Sequence, residues 1–191
     1  MSYIKTMEYK LLPEKSFEVV KRCSGCGTKA NFVTTDCFRV NANGNRVDIW
    51  LIYQCKTCKH TWNMTIYERR NPKSIPKPEL EGFMSNSNKL AKYYGNTCEF
   101  FSHNKAEIDW NSICYTIEAE EDYEMDVLSA LEQGDTIIIH NPFCLKVRVE
   151  RLLSDLFNIS RTKVKEQIKN NVFQITTESS KIVINRNKMS D

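Results

Sequence analysis

The chain has 191 residues, of which 41% are hydrophobic and 27% are charged, and its formal net charge is +3. This length allows one domain of moderate size or two small ones, and the composition is that of a globular protein. There is no apolar run as long as a membrane span and no apolar secretory segment near the start, so we expect a cytosolic protein without membrane contact.

The charge is divided unevenly along the chain. Residues 1–98 carry 16 Lys and Arg against 8 Asp and Glu, residues 99–144 carry 1 against 11, and residues 145–191 carry 10 against 5. Two basic ends around an acidic middle indicate at least two functional surfaces, and either basic end could meet a polyanion.

Short strand-like runs open the chain. Residues 17–21 alternate in polarity, and residues 48–53 and 61–67 are rich in strand-forming side chains. Asn43-Gly44 stands between two such runs and is a strong hairpin signal.

Two Cys-x-x-Cys pairs are the most informative motif, and each lies at the end of a strand-like run. Together they offer four sulfurs, the number that tetrahedral zinc takes in structural sites, so we predict one structural zinc ion. Four thiolates leave no open position for water, which argues against zinc catalysis. His60 could replace a sulfur and is interpreted as a neighbouring surface group. The predicted ligands are Cys23, Cys26, Cys55 and Cys58.

The eight cysteines also allow two other interpretations. Four disulfides would need an oxidising compartment and an export signal, which the sequence does not contain. Oxidation that expels zinc from the thiolates would make the chain a thiol-based sensor. The other four cysteines fit no ligand spacing and are interpreted as core or incidental residues: Cys37, Cys98, Cys114 and Cys144.

The order of pair, hairpin, pair and strand resembles a zinc ribbon, which we assign to residues 1–70. Residues 71–144 form a predicted mixed α/β middle region, entered through a proline-rich linker or turn. Two short helices and two strands are predicted in it, over residues 78–84, 88–94, 112–119 and 136–140.

An acidic run fills residues 118–126 of the middle region. It could be a divalent-metal or acid/base site, but it fits no ligand spacing, so we interpret it as a solvated face that could meet a basic protein partner. His103 and His140 stand isolated, and no catalytic motif is present. We therefore predict no catalytic centre, with an RNA-modifying enzyme acting through this run as an alternative.

Residues 145–191 are predicted to form two helices and a hairpin. Apolar residues spaced i, i+3, i+4 and i+7 place one buried stripe on the first helix, and Ser160 is a plausible N-cap for the second. Arg161, Lys165 and Lys169 then share one face of the second helix. Asn170-Asn171 can supply a left-handed turn before the paired strands. The apolar stripe comprises Val149, Leu152, Leu153 and Leu156.

These residues resemble the S4 RNA-binding domain, which has a similar Arg-apolar-acidic-basic-apolar-Leu start, a Ser-Arg cap, a Lys-rich helix and a hairpin. Two positions depart from that family: Asn170-Asn171 replaces a glycine, and residues 177–180 replace an Asn-Gly turn. The resemblance implies contact with structured RNA through one set of cap and basic residues, namely Arg148, Arg151, Ser160, Arg161, Lys163, Lys165 and Lys169.

The whole chain also resembles a bacterial family known as domain of unknown function 1062, best in the Cys-x-Gly-Cys-Gly motif and residues 38–44 and 62–67. That resemblance implies a bacterial origin and no activity. We therefore expect an α+β, zinc-containing, non-catalytic protein that binds structured RNA, with ribosomal RNA or the ribosome as the expected partner. A DNA-binding regulator that uses the ribbon is the other alternative. The sequence indicates no oligomeric state.

Overall fold

The computed structural model describes residues 5–121, 127–132 and 134–187 of the chain. They form an α+β fold with two five-stranded sheets. The chain divides into two compact units, one comprising Pro13–Cys114 and one comprising residues 1–12 and 115–191. We call them the cysteine unit and the terminal unit. This division differs from the predicted three regions, because segments distant in sequence pack together in each unit.

The cysteine unit is built on an antiparallel sheet with strand order β5-β4-β3-β2-β6. The predicted hairpin is present, since Asn43 pairs with Arg46 and Gly44 turns the chain with a φ of 61°. Glycine adopts this left-handed conformation without strain. The strands are β2 (Val19–Arg22), β3 (Lys29–Asn43), β4 (Arg46–Cys55), β5 (Thr61–Arg70) and β6 (Glu107–Ile108); β1 belongs to the terminal unit.

Three short helices pack against this sheet, so the proline-rich segment does not act as a linker between separate bodies. The segment forms a 3-10 helix at Pro72–Ser74, and Ile75 beyond it is buried. A second 3-10 helix lies at Trp110–Ser112. The helices are α1 (Lys77–Met84), α2 (Asn88–Gly95) and α3 (Cys98–His103).

Aromatic rings form the core between these helices and the sheet. Phe83 of α1 meets Phe38 and Tyr94, with ring centroids 5.0 Å and 5.4 Å apart. Phe101 of α3 meets Tyr53 at 5.9 Å. Edge-to-face aromatic pairs each contribute about 0.5–1.5 kcal/mol beyond the area they bury, so the helices stabilise the sheet that carries the cysteines.

The terminal unit holds the second sheet, with strand order β7-β1-β8-β10-β9. Strand β1 runs parallel to β8, whereas β10 is antiparallel to both β8 and β9. The sequence analysis did not predict β1, although every second residue from Met7 to Leu11 is buried. The strands are β1 (Thr6–Pro13), β7 (Tyr115–Ala119), β8 (Thr136–His140), β9 (Phe173–Thr177) and β10 (Lys181–Arg186).

Three helices complete the terminal unit: α4 (Val127–Ala130), α5 (Val149–Phe157) and α6 (Arg161–Lys169). The helix, helix and hairpin at the C-terminal end lie where the sequence predicted them. Leu152 and Leu153 are buried as expected, while the Phe157 ring stacks on Phe173 with centroids 5.4 Å apart. Asn171 takes the left-handed conformation with a φ of 54°.

None of the helices in the described ranges is long and apolar enough to cross a membrane.

Two tyrosines of the cysteine unit share one carboxylate. The hydroxyls of Tyr67 and Tyr94 both donate to Oε1 of Glu79, that of Tyr67 over 3.0 Å. Burial, together with the hydrogen bond to Glu79, raises the pKa of Tyr94 above its ordinary range. Burial also raises the pKa of Tyr67. The neutral tyrosines therefore stabilise the fold fully below pH about 10, and this stability is lost as the pH rises through the higher folded-state values.

We predict that the folded protein resists tyrosine ionisation at alkaline pH. Absorbance at 295 nm should show late-ionising tyrosines in the native protein, whereas all eight should titrate near pH 10 in denaturant. Glu79→Gln removes the neighbouring negative charge, so Tyr67 and Tyr94 should ionise earlier than in the parent. Glu81→Gln on the same helix is the control, and a native titration identical to the denatured one would contradict the prediction.

Candidate metal centre

Two turns of the same form carry the four predicted cysteine ligands. The first knuckle, Cys23–Gly27, follows β2, and the second knuckle, Cys55–Lys59, begins at the last residue of β4. In each knuckle the carbonyl of the first cysteine accepts a hydrogen bond from the amide four residues later, over 2.8 Å and 3.1 Å. The amide of that cysteine donates to the carbonyl five residues later, over 2.8 Å and 2.9 Å. The same backbone hydrogen bonds therefore give both Cys-x-x-Cys pairs the same turn.

The two knuckles bring all four sulfurs together. Each Sγ lies within 4.8 Å of the others, with 3.5 Å between Cys23 and Cys58 and 3.8 Å between Cys26 and Cys55. A tetrahedral ion with metal–sulfur bonds of about 2.3 Å keeps its ligands about 3.8 Å apart. All eight cysteines are free thiols, so the structure does not contain the alternative disulfide framework. The cluster can hold a metal ion.

The sulfurs differ in burial and in acidity. Cys23 and Cys55 are fully buried, whereas Cys58 is exposed. Backbone amide groups, that of Cys58 first, lower the pKa of the Cys55 thiol to about 6. A hydrogen bond with Cys58, followed by burial, raises the pKa of Cys26 to about 12. One thiolate is thus stabilised by the protein itself, and thiolates are the form that binds metal.

The two glycines of the first knuckle have different physical roles. Gly27 has a φ of 73°, and a β-carbon there would meet nothing within 4 Å, so its role is conformational. Gly25 instead provides space, since a β-carbon there would lie 2.9 Å from the Cys58 sulfur and 3.1 Å from Cβ of His60. In the second knuckle Lys59 takes the position of Gly27, with a φ of 63°.

Polar contacts fix the surroundings of the second knuckle. Nε2 of His60 lies 2.7 Å from the Ser24 hydroxyl, and His60 is not among the clustered ligands. Lys56 pairs with the buried Glu18 at 3.0 Å, and Lys15 pairs with the same carboxylate. Burial raises the pKa of Glu18, but the hydrogen bonds from the two lysines outweigh it and hold that pKa below its ordinary value. Because its ring contacts Ser24 and is not among the clustered ligands, His60 lies beside the four sulfurs, as expected.

The predicted RNA-binding residues lie on α5, on α6 and at their N-termini. Arg161, Lys165 and Lys169 follow one side of α6 and are exposed, and we call them the α6 row. Within the described residues none of the three forms an ion pair. Lys163 is also exposed but points away from the row, because residues two apart on a helix do not share a face. Arg148 is exposed just before α5.

Two of the predicted RNA-binding residues have partners inside the chain. The Arg151 guanidinium lies 5.0 Å from the centre of the Tyr115 ring, and its Nε is 3.9 Å from Asp155. The Tyr115 hydroxyl donates to the same carboxylate over 2.5 Å. Ser160 caps α6, because its hydroxyl accepts a hydrogen bond from the Lys163 amide at 3.3 Å. Arg151 and Ser160 therefore both make contacts that stabilise the terminal unit.

One cluster of titratable groups was not predicted from the sequence. Glu8, Glu120 and His140 offer ligand atoms that all lie within 4.8 Å of one another, although His140 looked isolated in the sequence. Alternation along β1 was the signal that could have placed Glu8. Residues 122–126 of the acidic run lie outside the described residues, so the interpretation of the whole run stays a prediction.

The fold and the site define a two-unit α+β protein with a four-cysteine centre able to hold a metal ion. The model of a family described as protein of unknown function (DUF1062) matches residues 40–179. The chain belongs to this family. The matched range includes the second knuckle and α6 but begins after the first knuckle. No curated protein and no solved structure matches the chain.

We predict that alanine at the two glycines damages the centre in different ways. Gly27→Ala should lower the free energy of unfolding by about 1–2 kcal/mol, the cost of a left-handed residue with a β-carbon, while metal affinity of the folded protein changes little. Gly25→Ala should displace the Cys58 sulfur and weaken metal binding by about tenfold or more. Chemical denaturation and a competition titration with a chromogenic chelator measure the two effects.

Lys59→Gly is the matched control for the conformational argument. It removes the left-handed strain of the second knuckle, so it should leave the stability equal to or slightly above that of the parent. Equal metal affinity in Gly25→Ala and Gly27→Ala would contradict the separate roles of the two glycines.

Proposed function

We propose that this chain is a non-catalytic, zinc-containing RNA-binding protein in which a zinc ribbon forms the scaffold and the S4-like α6 row contacts RNA phosphates. The structured RNA of the ribosome is the proposed partner. The observation that carries the proposal is the α6 row, three exposed cations on one helix face without ion-pair partners among the described residues. Such a row carries the positive charge that binds a phosphate backbone.

The ligand set supports zinc as the metal. Four cysteine sulfurs, with 3.5 Å between Cys23 and Cys58 and 3.8 Å between Cys26 and Cys55, suit the soft thiolate coordination that zinc takes in structural sites. A filled sulfur shell leaves no position for substrate or water. Zinc in such a site contributes about 10–16 kcal/mol of apparent binding free energy to folding. The ribbon would therefore depend on its ion.

We predict that the purified chain holds one zinc ion and that the cysteine unit unfolds without it. Cys55→Ser should abolish zinc retention, measured by elemental analysis, and should expose amides of Pro13–Cys114 to hydrogen exchange. The matched control is Cys37→Ser, which replaces an exposed cysteine outside the cluster and should retain zinc and protection. Unchanged exchange after complete zinc removal would contradict a structural role for the ion.

The packing of the C-terminal helices supports the RNA proposal indirectly. Val164 of α6 is buried, which fixes the helix on the unit and leaves the α6 row facing outward. Fixed cations lose less conformational freedom on binding than mobile ones do. Arg151 contributes less than the resemblance to S4 implied, because Asp155 and the Tyr115 ring already hold it.

We predict that reversing the α6 row removes RNA binding. The triple variant Arg161→Glu, Lys165→Glu, Lys169→Glu should abolish binding to a folded ribosomal RNA fragment, measured by fluorescence anisotropy. In the parent, affinity should fall steeply with salt, and neutralising one residue of the row should reduce the slope of log K against log salt by about 1. Equal RNA affinity in the triple variant would remove the proposal.

A second triple variant separates the RNA proposal from the DNA alternative. Arg22→Glu, Arg39→Glu, Lys59→Glu changes the charge equally on exposed residues of the cysteine unit. The RNA proposal expects this variant to bind RNA like the parent. If it loses affinity for duplex DNA, and the parent prefers duplex DNA to RNA, the chain is a DNA-binding protein that uses the ribbon.

A further inference from the structure

Three strands of the terminal unit bring two carboxylates and an imidazole together. Glu8 lies on β1, His140 is the last residue of β8, and Glu120 follows directly after β7. Nε2 of His140 lies 2.8 Å from Oε2 of Glu8, and the ligand atoms of all three side chains lie within 4.8 Å of one another. Sequence separations of 20 to more than 100 residues hid this cluster from motif analysis.

Backbone pairing holds the three residues in place. In the parallel ladder of β1 and β8, His140 lies beside Lys10, two residues from Glu8 and therefore on the same sheet face. The amide of Glu120 donates to the carbonyl of Glu8 over 2.9 Å. The sheet thus fixes the backbone positions from which the three side chains meet.

We propose that Glu8, Glu120 and His140 bind one divalent transition-metal ion, through one oxygen of each carboxylate and Nε2 of the imidazole. Carboxylates suit Mn²⁺, imidazole suits Zn²⁺ and Fe²⁺, and a mixed set accepts ions of this first-row class. The site is chemically distinct from the four-sulfur centre, whose thiolates select softer ions.

The distances fit such an ion with small adjustments. Two ligands bound at about 2.1 Å and at right angles lie about 3 Å apart. The observed 2.8 Å between Nε2 and Oε2 is close to that separation. The exposed side-chain fractions of Glu8 and His140 are 43% and 37%, so water can fill the remaining coordination positions.

The local charge favours a cation. Lys10 is the ammonium group among the carboxylates of Glu8, Glu118 and Glu120, and it pairs with Oε1 of Glu120 at 2.9 Å. Three carboxylates against one ammonium leave an excess of negative charge when His140 is neutral, the state in which imidazole binds metal. Lys10 is therefore a competitor for the ion, and its removal should strengthen binding.

The site is tested by titrating the zinc-loaded full chain with Mn²⁺ and measuring the free ion by electron paramagnetic resonance. A parallel titration with Zn²⁺ covers the softer end of the class. We expect one saturable equivalent beyond the zinc of the cysteine centre. His140→Ala and the isosteric Glu8→Gln should each weaken binding by about tenfold or more. Lys10→Met should tighten it severalfold.

Matched controls come from the cysteine unit. His103→Ala and Glu107→Gln remove the same chemical groups from exposed positions and should change the affinity less than about twofold. Circular dichroism checks that each variant is folded. If His140→Ala does not fold, Glu8→Gln still tests the site. Absence of saturable binding for both ions overturns the proposal. Binding that survives both ligand substitutions also overturns it, and places the ions elsewhere on the acidic surface.

Discussion

Two backbone turns with the same hydrogen bonds hold four cysteine sulfurs at one end of the cysteine unit. The first turn connects β2 to β3 and the second connects β4 to β5, so the sulfur cluster joins two pairs of consecutive strands. Apolar side chains of the strands are buried, among them Phe32, Ile49 and Met64. The aromatic rings of α1, α2 and α3 supply the remaining burial, with Phe83 and Phe101 fully covered. A metal ion at the sulfurs would then link both halves of the sheet covalently.

The charged residues of the chain differ in whether they have partners within it. In the cysteine unit, Lys15 and Lys56 both pair with the buried Glu18. In the terminal unit, the cations of α6 face solvent without ion pairs among the described residues. Engaged charges contribute to specificity of folding, whereas unengaged charges are available to a polyanion.

The family assignment leaves the chemistry to be argued from the residues. The match covers residues 40–179, which contain one knuckle, the aromatic helices, Glu120, His140 and α6. The first knuckle and Glu8 lie before the matched range. Each of the two clusters therefore combines residues inside and outside the matched range. Strand pairing brings these residues together, through the β3–β4 hairpin in the cysteine unit and the parallel β1–β8 pair in the terminal unit.

The sequence by itself determined what depends on near neighbours. The knuckles, the Asn43-Gly44 hairpin, β8 and the Ser160 cap follow from spacing, turn chemistry and periodicity over a few residues. Tertiary structure alone decided the rest. The N-terminal strand β1 joins the C-terminal half, the proline-rich segment becomes part of a core, Gly25 yields space to the Cys58 sulfur, and Glu8 reaches His140. These results depend on contacts between residues distant in sequence, whose free energy no local pattern encodes.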